Sequence, residues 1–75
     1  MQRYANRSGK SGVVAYQIDK DSITVEFSAG IRYLYTVEST GASNIASMRK
    51  LAAEGRGLST FISQHVHDRY ARRLD

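Results

Sequence analysis

Two tyrosines spaced two residues apart, Tyr33 and Tyr35 in the run Ile31-Arg32-Tyr33-Leu34-Tyr35-Thr36-Val37, have the most to offer a ligand. On an open sheet face such rings stack on bases, as in RNA-recognition domains; on a covered face they are core, with their hydroxyls at its rim. The other reactive residue types offer less. His65 and His67 are two apart on an expected helix, so they point about 200° apart and cannot share a metal. His65 and Asp68 have the spacing of an acid–base pair, which is far more often that of a surface hydrogen bond. Asp19-Lys20-Asp21 lacks the further acidic ligands and the glycine of a calcium loop and reads as a turn. Gly9-Lys10-Ser11 echoes the end of a phosphate-binding loop, but Tyr4 stands where that motif needs its first glycine. Asn6-Arg7-Ser8 has the form of a glycosylation acceptor with no secretion signal to give it meaning. There is no cysteine, no Gly-x-Ser-x-Gly elbow and no cluster of carboxylates. No enzyme activity, cofactor, metal or small-molecule substrate is expected.

The remaining chemistry is basic. The formal charge is +4 and the pI about 9.8. Arg3, Arg7 and Lys10 make the start positive, the middle is mildly acidic through Asp19, Asp21, Glu26 and Glu38, and the end is positive again. Arg49, Lys50, Arg56, Arg69, Arg72 and Arg73 are the candidate phosphate contacts, able to hold a nucleic acid without reading its sequence. Basic residues also suit the negative end of a helix, which accounts for residues 69–73 without a ligand.

These side chains must be held by a small framework. Seventy-five residues without cysteine form one domain near the lower limit for a self-sufficient core. Residues 1–11 are polar and aperiodic and are expected to be a mobile basic arm. Residues 13–18, 23–27 and 31–37 alternate apolar and polar types and predict three strands. A four-residue turn at 19–22 pairs Ile18 with Ile23, Tyr16 with Val25 and Val14 with Phe27. The second turn admits two registers. A three-residue loop of Ser28, Ala29 and Gly30 pairs Val25 with Tyr33 and Ile23 with Tyr35 and buries both tyrosines; a two-residue loop of Ala29 and Gly30 turns both rings to the other face. The first is favoured because it gives Gly30 the left-handed position of such loops. Ile45, Met48, Leu51 and Ala52 then recur at helical spacing up to Gly55, and a second helix carries Leu58, Phe61, Ile62, Val66 and Tyr70. Serines at 39 and 43, then Ser59 or Thr60, are the expected caps. His65, Arg69 and Arg73 fall within the arc of that second stripe, so its last turns should overhang the sheet in solvent.

This ordered set resembles the KTSC domain: Tyr16, Ile23 seven residues later, Val25-Glu26-Phe27, Gly30, Tyr33-Leu34-Tyr35, a helix ending at Gly55, then Gly57-Leu58-Ser59-Thr60-Phe61-Ile62. The likeness covers residues 12–74. The family occurs at the C-terminus of some lysyl-tRNA synthetases and as short bacterial and phage proteins. The Val-Pro that often follows its tyrosine triplet is here Val37-Glu38. The resemblance implies a structural role for Tyr16, Tyr33, Tyr35, Gly57 and Phe61, brings no established activity, and suggests RNA or tRNA as a partner.

The expectation is thus an α+β domain over residues 12–75, a three-stranded antiparallel meander followed by two helices packed on one face through Ile45, Met48, Leu51, Leu58, Phe61, Ile62 and Val66. Its expected function is weak, non-enzymatic RNA or tRNA binding through the basic residues. The alternative is protein–protein interaction or self-association through an edge strand or the open sheet face bearing Val13, Ala15, Leu34 and Thr36. No apolar run approaches the roughly 20 residues of a membrane span and no secretory signal opens the chain, so a cytoplasmic location is expected.

Overall fold

The computed structural model describes residues 1–7, 9 and 11–74. It is an α+β fold with one five-stranded antiparallel sheet in the order β1-β2-β3-β4-β5 and helices against one of its faces. The strands are β1 (Gln2–Arg3), β2 (Val13–Asp19), β3 (Ser22–Phe27), β4 (Arg32–Thr36) and β5 (Arg72–Arg73). The helices are α1 (Val37–Thr40), α2 (Ala42–Glu54) and α3 (Leu58–Phe61), the last running on into a π-helical turn at Ile62–Val66. Among the described residues no helix is long and apolar enough to cross a membrane.

The β3–β4 hairpin adopts the three-residue loop. Phe27 N–H donates to Ile31 O at 2.8 Å, Gly30 N–H donates back to Phe27 O at 2.9 Å, and Gly30 takes a φ of 84°, which suits a residue without Cβ. Val25 consequently lies opposite Tyr33 and Ile23 opposite Tyr35. Tyr35 is 1% exposed, while Tyr33 is half-buried against the same core. Ile18 pairs with Ile23 and Tyr16 with Val25, as the turn length requires. Beyond Tyr16 the parity changes. A bulge between Val13 and Ala15 puts Val13, not Val14, opposite Phe27. An extra residue in one strand exchanges the faces that follow it, so Val13 is core and Val14 is turned out, 38% exposed.

Two strands had no periodicity to announce them. The leader does not hang free: β1 pairs with β2, Tyr4 N–H donates to Val14 O at 3.0 Å, and the Tyr4 ring is 3% exposed. Leu58 N–H, at the start of α3, donates to Tyr4 Oη at 3.3 Å, and the ring meets Tyr16 edge-on at 6.5 Å. Arg7 completes the seam, giving its backbone N–H to Gly55 O at 2.6 Å and its Nε to Glu54 O at 2.8 Å. Gly55 has a φ of 76°, and a Cβ on it would lie 2.5 Å from that of Ala5, so glycine is needed for both the helix end and the leader's approach. The phosphate-loop and glycosylation look-alikes include Lys10 and Ser8, which lie outside the described residues.

The helical half also departs from expectation. Thr36 caps α1 in a reciprocal box with Ser39, Ser39 N–H donating to Thr36 Oγ1 at 3.1 Å and Thr36 N–H to Ser39 Oγ at 3.2 Å. Glycines, not the expected serines and threonine, occupy the caps of α2 (Gly41) and α3 (Gly57). Ile45, Met48, Ala52, Leu58, Ile62 and Val66 are buried, with Leu51 and Phe61 packed at the margin. The second helix does not continue to residue 73. After Val66 the chain turns and passes back along β4 as β5, with Ala71 N–H donating to Leu34 O at 2.6 Å and Leu74 N–H to Arg32 O at 2.8 Å. Ending the helix there frees residues 69–74 to satisfy the outer edge of β4, which a longer helix would leave unpaired.

Candidate functional site

The return of the chain after Val66 brings together residues that are far apart in sequence. β4 and the end of β3 supply the aromatic rings Phe27, Tyr33 and Tyr35; α3 and the π-helical turn supply Ser59, Ile62 and Ser63; the connection to β5 supplies His67, Asp68 and Tyr70. They line an open groove of about 390 Å³. Tyr33 is the hub: Tyr70 lies on it at 4.4 Å between ring centroids with a 41° tilt, Phe27 meets it edge-on at 5.9 Å, and Tyr35 is tilted against it at 6.5 Å. Tyr70 also stands edge-on to Tyr35 at 6.3 Å and keeps 37% of its surface exposed. Edge-on and offset arrangements suit the ring quadrupoles, so the cluster is stable and still presents aromatic surface to solvent.

Burial, reinforced by the neighbouring Tyr33 and Tyr70, holds the Tyr35 phenol above the ordinary tyrosine range. It stays neutral at every physiological pH. The Tyr70 segment is tied down from behind: the buried Thr40 hydroxyl donates to Arg69 O at 2.8 Å, and Arg69 N–H donates to Val66 O at 2.9 Å. The π-helical turn bears Ser63 and Ile62 at the groove, and such turns are uncommon and often mark functional positions.

The six basic candidates divide. Arg69, Arg72 and Arg73 are exposed; Arg72 and Arg73 are on β5, where a helix dipole does not account for them, while Arg69 lies in the turn between the end of the π-helical segment and β5. Arg72 lies opposite Leu34 and Arg73 opposite Tyr33, which puts Arg72 on the open face of the sheet and Arg73 on the tyrosine side. Arg49 does not point to water as expected. Its Nη2 donates to Asp19 O at 2.6 Å and to Lys20 O at 2.5 Å, clamping α2 to the β2–β3 turn, while its buried Nε has no partner among the described residues. Lys50 on α2 and Arg56 after it are exposed but belong to other elements. Arg32, absent from the expected set, is on β4 and pairs with Glu26 at 2.9 Å.

Of the residues that carry the resemblance, Tyr33 and Tyr35 line the groove. Tyr16 packs on Tyr4, Gly57 starts α3 with a φ of 82°, and Phe61 is half-buried beside His65, its ring 4.7 Å away. His65 therefore contacts an aromatic ring, and it is His67 and Asp68 that reach the groove. Among the described residues no three histidines, aspartates or glutamates converge as metal ligands. Sequence reasoning missed Tyr70, His67, Asp68, Ser59 and Ser63 as a group. The continuing four-residue spacing from Ile62 through Val66 to Tyr70 disguised the turn as one more helical step. No protein-family model, curated protein or solved structure matches this chain.

Proposed function

We propose that the protein is a non-enzymatic nucleic-acid-binding domain of the KTSC type, with RNA or tRNA as its partner, and that the β5 edge makes the contact. The observation that carries this reading is the gathering of Arg69, Arg72 and Arg73 beside the half-exposed Tyr70 on one edge of the sheet. Arg69 just before the edge strand and Arg72 and Arg73 on its two faces give the edge a concentration of cations for phosphates, and a neighbouring ring adds sequence-tolerant stacking. Arg49 leaves the set because its guanidinium already serves two carbonyls, and Lys50 and Arg56 are secondary because they stand on other elements.

The test is a titration with a mixed-sequence single-stranded RNA at several salt concentrations. Each phosphate contact contributes about 0.7 to the slope of log affinity against log salt, so three contacts give a slope of about −2. The paired substitution Arg69→Glu with Arg72→Glu should abolish binding, while Lys50→Glu should weaken it only slightly. Binding indifferent to salt, or to the paired substitution, rules the reading out.

The alternative of self-association has its own observation: Met1 and Ile18 are 51% and 43% exposed beside a shallow depression at the β1 edge. It is the weaker reading. Val13 has gone to the core, and both sheet edges are strands of two residues, too short to template a long added strand. Sedimentation over a range of concentrations separates the two, since self-association requires a concentration-dependent mass.

A further inference from the structure

The arginine edge accounts for phosphates and leaves the adjoining groove unexplained. The lining of that groove includes aromatic rings, with Tyr33 and Tyr70 in tilted contact and Tyr70 still 37% exposed. The same lining also includes Ser59, Ser63, His67 and Asp68, residue types that carry hydrogen-bonding groups. A planar ring with polar edges matches that mixture of aromatic and hydrogen-bonding residues: its face suits a tyrosine and its edge suits donors and acceptors. A purely apolar side chain would leave the polar groups unpaired, and a bare phosphate would meet the Asp68 carboxylate. The volume, about 390 Å³, is sufficient for a single heterocycle. Arg69 precedes Tyr70 directly and Arg73 lies in register with Tyr33, so a strand laid along β5 passes the mouth of the groove. A base in a duplex would have to give up its stacking and pairing to turn in, so an unpaired base is favoured.

We propose that the groove between Tyr70 and the π-helical turn takes one unpaired nucleobase of a strand whose phosphates lie along the β5 arginines, which makes the preferred partner single-stranded. This rests on the nucleic-acid reading above and adds to it where the base goes.

The experiment is fluorescence anisotropy at about 50 mM salt with three labelled probes of equal length: a single-stranded RNA, the same ribose-phosphate chain without bases, and a duplex. The RNA should bind on the order of tenfold more tightly than the baseless chain, the stacking of one base being sufficient for that ratio. Tyr70→Ala should remove the preference for RNA over the baseless chain, and Tyr70→Phe should retain it. Ser63→Phe, which fills the groove and leaves Tyr70 in place, should produce the same loss as Tyr70→Ala. Equal binding of RNA and baseless chain, or a duplex bound as tightly as the single strand, overturns the groove and leaves the arginine edge standing. Failure of all three probes to bind overturns both readings.

Discussion

At the scale of single residues, side chains of one chemical type play different roles here. Arg49 and Lys50 are adjacent and equally basic in sequence, yet Arg49 spans two turn carbonyls and Lys50 stands in solvent. Arg49→Ala should lower stability by about 1 kcal/mol in urea melts, and Arg49→Lys should not restore it, since an ammonium cannot reproduce the planar fork. Lys50→Ala should change stability by less than about 0.5 kcal/mol. Tyr35 predicts a pH effect whose sign follows from its burial. The native state keeps the phenol protonated where the unfolded chain, with an ordinary value of about 10, releases its proton. The Tyr35 contribution is therefore fully present below about pH 10 and is lost as pH rises beyond it. Urea melts from neutral to strongly alkaline pH should show stability falling above about pH 10, with a smaller fall in Tyr35→Phe.

At the scale of elements, the strands and helices with a repeating pattern were legible and those without one were not. The β3–β4 register could be read because three loop residues with Gly30 last leave one comfortable pairing, and β2 could be read back to Tyr16 because the turn fixes its parity. The bulge at Val13 could not, since Val13 and Val14 are the same residue type and either can be the inward one. β1 and β5 are too short to show alternation, and Tyr4 is a single ring in a polar stretch, so its burial depends on partners distant in sequence. Tyr4→Ala should therefore cost about 3 kcal/mol, while Tyr4→Phe, which removes the acceptor for Leu58 N–H, should cost about 1 kcal/mol. A truly mobile leader would leave both variants as stable as the parent. The C-terminal strand hangs on Thr40, whose hydroxyl reaches Arg69 O across the fold. Thr40→Val should speed amide exchange at Ala71 and Leu74 more than at Val25, loosening β5 without melting the sheet.

At the scale of the whole molecule, the helices close one face of the sheet and the two chain-terminal strands finish its edges. The remaining surface is uneven: a short strand carrying arginines adjoins a tyrosine groove at one edge, and Met1 and Ile18 are exposed at the other. The net charge alone pointed to a basic surface without saying where; the turn after Val66 decides it by converting expected helical turns into an edge strand. The most direct measurement of that claim is an amide chemical-shift map of the labelled protein against a short single-stranded RNA. Shifts are expected to concentrate at Tyr33, Ser63, His67, Tyr70 and Arg72; shifts confined to Lys50 and Arg56 on the helical side, or none at all, would contradict a binding edge at β5.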